Sequence, residues 1–386
     1  MIIDTHWKTF HKYSAPQSTK SFCGLKETVT IFFFLLLCIG TMPVLQAQKY
    51  SNEFLSIGVG ARAQGLGNAV VANVGDVWAS VWNPAGLANL STEQGLQIGA
   101  MHSEWFGGVG KFDYLGFTLP LAKENRRLAF SLIRFGIDEI PNTLTLYESD
   151  GTVNFDNITS FSAADYAFLM SYGQQKTLKN GNNIRLGGNV KVVHRRIGPF
   201  ATAWGFGIDL GAQYTLKNWK LGVLAKDITT TFNAWSFNFT EEEKEVLTLT
   251  NNEVPINSVE ITKPQFILGA SRRFQINKIS LTPELDWIIT SDGQRNTLLS
   301  ADPFSIDPAF GLEAGYNDFV FLRVGMNQFQ REKDFDNQEN LTMRPGIGIG
   351  LKLGDLLVDY AFTDLGNQRN TFSHVISLSF HLKPKN

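Results

Sequence analysis

The chain has 386 residues, with 34 Lys and Arg against 36 Asp and Glu and a formal net charge of −2. So even a balance excludes the basic surface that nucleic-acid phosphates require, and no nucleic acid is expected as a partner. Both cysteines, Cys23 and Cys38, lie before residue 48, so the remainder holds no disulfide, thiol nucleophile or Cys-based metal site.

Residues 1–47 read as a secretory signal peptide. Lys20 and Lys26 precede an apolar stretch, Val29 to Gly40, and Thr41 to Ala47 supplies a cleavage region ending in a small residue. The basic region is long for such a leader, so either the true start lies downstream of Met1 or the leader is atypical. Lipidation at Cys38 is disfavoured by Leu37 before it, where a small residue is needed. Export to the cell envelope follows, and beyond the leader no apolar run reaches the roughly 20 residues of a spanning helix.

Residues 48–93 match neither a strand pattern nor a polar linker. The stretch from Phe54 to Leu90 is rich in Gly and Ala yet carries Trp78 and Trp82, a composition suited to close backbone packing inside something wider. A hatch plugging a barrel is the expected structure. The pairs Gly58/Gly60 and Gly65/Gly67 lack the G-x-G-x-x-G spacing and a surrounding βαβ unit, so they are not a nucleotide loop. Asn83-Pro84-Ala85 is a turn starter, because Pro fixes φ and disfavours helix before it while the Asn amide bonds nearby backbone. Arg62 needs an acidic partner, with Asp209, Glu284, Asp286 and Glu313 as candidates.

From 94 to 386 the chain repeats one pattern, in which apolar residues alternate with small or polar ones for about ten residues before a turn. Between Trp204 and Leu216, one face holds Trp204, Phe206, Ile208 and Leu210, and the other Gly205, Gly207, Asp209 and Gly211. Strands of soluble sheets usually stop after about five or six residues, whereas a tilted strand needs about 9–11 to cross a bilayer. Candidate strands lie near 94–101, 111–121, 127–136, 164–174, 183–195, 204–216, 219–226, 264–274, 279–289, 308–317, 319–327, 343–353, 355–363 and 372–382. The fold class is therefore all-β, a transmembrane antiparallel barrel of about 14 strands, an even number as bacterial barrels have.

Every second connection is short, which places both mature termini on the periplasmic side of an outer-membrane barrel embedded in outer-membrane lipid. Long outer loops fall near 137–163 and 228–263. Pro283, inside an otherwise good strand, predicts a bulge or break. Glycines at 205, 207, 211, 346, 348 and 350 should face the lumen and leave room for inserted backbone. Arg185, Lys191, Asp209 and Glu284 are the expected lumen charges.

Chemistry is not signalled. The histidines after the leader, His102, His194, His374 and His381, have no metal-ligand spacing, no G-x-S-x-G occurs, and neither a cofactor nor an enzymatic activity is expected. In the 228–263 loop the acidic run 241–245 suits a solvated surface or short helical lid. Phe232, Trp235, Phe237 and Phe239 in the same loop are candidates for an apolar partner-contact surface.

The run Ser56-Ile-Gly-Val-Gly-Ala-Arg-Ala-Gln-Gly-Leu-Gly-Asn68, followed by Trp82-Asn-Pro-Ala-Gly-Leu-Ala88, resembles the N-terminal signature of PorV/PorQ-type outer-membrane proteins. These in turn resemble the FadL long-chain fatty-acid transporters, whose fourteen-stranded barrel holds an N-terminal hatch with an Asn-Pro-Ala element. The resemblance implies a Bacteroidetes-like envelope and a type IX secretion component. Its partners would be the large translocon barrel and the C-terminal signal domains of secreted cargo, bound through the outer loops. The alternative it implies is a FadL-like channel for uptake of hydrophobic small molecules, and a purely structural paralogue is a third.

Overall fold

The computed structural model describes residues 51–91, 94–121, 125–148, 150–179, 181–333, 339–364 and 372–383, all within the compact unit Gln48–Asn386. The expected leader, 1–47, lies outside the described residues. Fourteen strands form the wall: Leu96–Trp105 (β1), Gly110–Pro120 (β2), Arg126–Asn142 (β3), Thr159–Thr177 (β4), Asn183–Ile197 (β5), Ala201–Leu216 (β6) and Trp219–Lys226 (β7). Gln265–Arg272 (β8), Ile279–Thr290 (β9), Ser305–Tyr316 (β10), Val320–Lys333 (β11), Glu339–Leu353 (β12), Leu356–Asp364 (β13) and Phe372–Leu382 (β14) complete it. Each strand pairs antiparallel with its neighbours in sequence, and β1 closes the ring against β14 from Leu96↔Leu382 to Ser103↔Val375. Closure satisfies the backbone groups that an open edge would leave bare in lipid.

The alternation in the sequence is the two-sidedness of this wall. On β6 Trp204, Phe206, Ile208 and Leu210 are exposed on the outside, while Gly205, Gly207 and Asp209 face in. The short connections gather at one end of the barrel and the longer ones at the other. At the short-turn end Arg272 stacks between Trp219 and Phe274, 5.3 and 4.7 Å from the ring centroids. Such aromatic and cationic pairs mark the edge of an apolar belt. Because Leu210 is midway along the apolar face of β6, Leu210→Arg should destabilise the folded barrel in vesicles by about 2–4 kcal/mol. Leu216→Arg at the short-turn edge should cost roughly 0–1 kcal/mol, both read from urea titrations of refolding.

The first three strands alternate weakly in sequence because both their faces carry apolar side chains. Met101, Trp105, Phe112, Tyr114, Ala129 and Ile133 point inward but are buried against the hatch rather than facing water. Outside, near the long-loop end, the same strands turn polar: His102 and Arg134 both reach Asp113, at 2.7 and 3.1 Å, and Lys111 reaches Asp138 at 2.9 Å. The apolar belt is therefore lower here than on β6.

Pro283 disturbs one side of its strand. The ladder to β10 runs through Pro283↔Leu312 without a shift. The other neighbour, β8, ends at Arg272 opposite this stretch and resumes as Phe274–Ile276, so the missing N–H is felt across that seam alone.

The long 228–263 connection is mostly ordered into the rim. Strands Thr231–Phe237 and Ser258–Thr262 form a hairpin, the first pairing with the upper half of β6 from Ala201↔Phe237 to Phe206↔Phe232. They carry the wall upward where β7 and β8 stop after eight residues each. Between them runs helix Glu241–Leu249, opened by a capping box in which Thr240 and Glu243 satisfy each other's backbone N–H. Similarly, β3 and β4 extend to Asn142 and from Thr159, into the stretch expected as loop.

Candidate functional site

The lumen is filled by residues 51–91, folded into short pieces: helix Ala61–Gly65, helix Ala79–Trp82 and the 3-10 turn Pro84–Asn89. None is long enough to be stable alone, so the barrel wall must hold them. It does so through glycines and buried charges. An added Cβ at Gly211 would lie 2.1 Å from Asn83 Oδ1, at Gly346 2.3 Å from Gln64 O, and at Gly348 3.3 Å from Gly65 Cα. Three of the expected lumen glycines thus admit the hatch. The others serve different neighbours: Gly205 and Gly207 are covered by Asn233 and Thr231 of the rim hairpin, and Gly350 by Asp359 and Arg323. Gly173, Gly187, Gly222, Gly311 and Gly325 also meet hatch backbone.

Asn83 is fully buried and uses its whole amide. Its Oδ1 accepts from Ala85 N at 3.2 Å, and its Nδ2 donates to Val71 O at 3.0 Å and Ala212 O at 3.2 Å. Pro84 opens the 3-10 turn, where its missing N–H costs nothing, and Ala85 lies buried within it. Asn83→Ala would strand a hatch carbonyl and a turn N–H, an expected loss of about 1–3 kcal/mol. The check is faster proteolysis of residues 51–91 with the barrel intact.

Arg62 pairs with Glu313, one of its four candidate partners, through Nε at 2.9 Å and Nη2 at 3.3 Å. Arg323 extends the chain of charge, donating to Glu313 Oε2 at 2.7 Å and Asp359 Oδ1 at 2.6 Å. Glu284 and Asp286, two residues apart on β9 and so on one face, take four successive hatch amides. Val70 N and Val71 N donate to Asp286 at 2.9 and 3.1 Å, and Ala72 N and Asn73 N to Glu284 at 2.7 and 3.2 Å. Lys191 is buried between Asp209, at 2.8 Å, and Asp227, which also accepts from Thr231. Arg185 lies lower, donating to Thr215 Oγ1 at 3.0 Å. Arg127, unremarked in the sequence, is 1% exposed and donates to the carbonyls of Leu90, Ser91 and Gly95. It clasps the junction where the hatch feeds β1.

The four aromatic residues of the 228–263 connection sit in different surroundings. Trp235 is buried beneath Arg195, whose guanidinium lies 5.0 Å from its ring centroid, while Phe237 and Phe239 stack along the rim with Phe200. Phe232 alone of the four is an exposed large apolar residue. The described chain also starts at Ser51 inside the long-loop half of the lumen, bonded to Glu260 and Asn233, whereas β14 ends at the short-turn end.

Among the described residues, cavities lie above and beside the hatch. A vestibule of about 540 Å³ opens at the long-loop end, walled by Phe54, Trp105, Phe106 and Phe135 on one side and by Asp165, Arg195, Asp307 and Arg344 among its polar residues. A smaller cavity of about 130 Å³ lies between hatch and wall, lined by Leu55, Val81, Trp82, Leu224, Ile267 and Ile288 together with polar groups that include Asp307. The two adjoin, sharing Glu53, Ser56, Arg295, Thr297, Asp307 and Gln328.

No family model matches the sequence, and no curated protein matches it. Among solved structures, the Pseudomonas putida toluene transporter TodX superposes with a TM-score of 0.51 at 13% identity, over 84% of this chain and 98% of that one. The chain has the fold of the TodX barrel. A TodX deltaS2S3 mutant, described as a monoaromatic hydrocarbon channel, gives 0.50 at 13% identity, over 84% and 99% of the two chains. A Pseudomonas aeruginosa FadL homologue aligns more loosely, at 0.45 and 13% identity over 83% and 97%. None of these neighbours is named as a PorV/PorQ-type protein.

Proposed function

We propose that the protein is an outer-membrane channel for small, largely apolar molecules, which enter the vestibule at the long-loop end and settle between hatch and wall. The observation that carries this reading is the inner cavity. An apolar cavity of about 150 Å³ takes up benzene, and this one, at about 130 Å³ with Leu, Val, Ile and Trp side chains beside polar groups that include Lys226 and Asp307, has room for a solute of one ring. The solved neighbours agree in kind, being named as a toluene transporter and a monoaromatic hydrocarbon channel. Purified protein should bind toluene in a calorimetric titration, and Ile267→Trp, which fills the cavity, should weaken binding at least tenfold. Absence of binding, or binding indifferent to the filled cavity, would overturn the reading. The role in type IX secretion keeps the support of the 56–68 and 82–88 signature, but the rim aromatics proposed for it are largely occupied with one another.

A further inference from the structure

The two ends of the barrel carry opposite charge. At the long-loop end, residues 138–158 hold Asp138, Glu139, Glu148, Asp150 and Asp156 with no Lys, Arg or His, and helix Glu241–Leu249 sets four glutamates against Lys244. The short-turn end is basic. Four consecutive hairpins there present Arg126 at the start of β3, Lys176 and Lys179 around the end of β4, Lys217 between β6 and β7, and Arg272 and Lys278 on either side of the turn from β8 to β9. The lysines are exposed and the two arginines half-buried, and none of the six has an ion pair within 4 Å among the described residues. Asp318 and Asp355, in the next two turns of the same end, are each taken up by a further cation, Arg273 at 2.9 Å and Lys383 at 2.7 Å. The excess positive charge is therefore open to an anion from outside.

Its placement indicates which anion. The cations follow the edge of the apolar wall, where Leu216, Trp219, Phe274 and Ile279 are exposed beside them and Arg272 lies over two of the rings. Side chains of this kind bury their stems along apolar surface and hold the charge at headgroup height. A protein partner takes a compact patch, whereas successive hairpins are two strand spacings, about 9–10 Å, apart along the rim. A row of lipid headgroups meets such an arc along its whole length. We propose that the short-turn end binds the phosphates of anionic phospholipids in the leaflet it faces, through the four lysines of the turns and through Arg126 and Arg272 at the edge of the wall. A cation at an anionic surface strengthens association roughly fivefold, and the acidic end is repelled by the same surface, so the charge pattern also fixes which end lies in that leaflet. This assignment is independent of the solute carried.

The test reconstitutes the mature protein in phosphatidylcholine vesicles containing a trace of spin-labelled phosphatidylglycerol or spin-labelled phosphatidylcholine. Electron paramagnetic resonance then reads how much of each label is held at the protein surface. Labelled phosphatidylglycerol should be preferred at least threefold at about 0.01 M salt, and the preference should vanish at about 1 M, where the Debye length falls from about 30 Å to about 3 Å. Lys176→Gln, Lys179→Gln, Lys217→Asn and Lys278→Gln combined should abolish it, Asn being chosen at 217 because φ there is 54°. Glu241→Gln with Glu242→Gln at the other end should leave it intact. Strand circular dichroism shows that each variant folds, and the salt response of the parent protein decides the matter even where the fourfold variant does not insert. Equal retention of the two labels by the parent, or a preference that survives high salt or the four substitutions, overturns the lipid assignment and leaves the basic arc to an acidic protein.

Discussion

Gly187→Val should yield a barrel that still assembles but whose hatch no longer seats. A Cβ at this position would lie 2.4 Å from both Pro84 C and Ala85 N, and backbone atoms cannot swing aside as a side-chain tip can. Overpacking of this kind costs about 1–3 kcal/mol when neighbours relax and more when they cannot. Relaxation is blocked here, because Asn83 binds the turn to Val71 and to Ala212 on β6. The wall has the better claim to survive, since its ladders close the ring independently of the lumen contents. Expected results are cleavage within residues 51–91 by added protease and higher single-channel conductance in planar bilayers. Gly188→Ala, one residue along and facing out, meets the end of the Leu210 side chain at 3.1 Å and should change neither. A Gly187→Val protein with a fully protected hatch would show that the turn is less tightly held than these distances require.

That the barrel was legible and the cavity was not has a physical cause. A lipid-facing strand writes its environment into every second residue, so β6 or β14 can be recognised from one segment alone. Strands β1 to β3 lose this signature because Trp105, Phe112 and Tyr114 face hatch side chains such as Trp78, whose ring centroid lies 4.8 Å from that of Tyr114. The hatch motif was readable as a turn at Asn83 and Pro84, and Arg62 as a cation in search of a carboxylate. Which carboxylate it finds depends on the height of Glu313 on β10, a quantity fixed by register around the ring. The engaged pairs Lys191 with Asp227 and Arg323 with Asp359 join residues 36 positions apart in each case, beyond any local pattern. In the aromatic loop, the strand Thr231–Phe237 pairs with the upper half of β6, and its alternation turns Trp235 inward and leaves Phe232 exposed, a pairing no local pattern displays.

The second large effect is expected at Arg323, whose side chain is 1% exposed and holds two carboxylates at once, Glu313 and Asp359. Arg323→Met keeps most of the apolar stem but leaves Asp359, itself 3% exposed, without its cation. Removing one partner of a buried pair costs about 3–5 kcal/mol, because the remaining charge is neither solvated nor compensated. Glu313 is better placed, since Arg62 still reaches it from the hatch. The deficit therefore belongs mainly to Asp359, and Arg323→Met combined with Asp359→Leu should recover most of the loss. Urea titrations of refolding into vesicles measure each variant, and the double-mutant cycle isolates the coupling. A single variant as stable as the parent would mean that water reaches Asp359. A double variant no better than the single would instead assign the loss to Glu313, and hence to the link through Arg62 between hatch and wall. In that event Arg62→Met should be nearly as damaging as Arg323→Met, and the hatch rather than the wall would be what the charge chain stabilises.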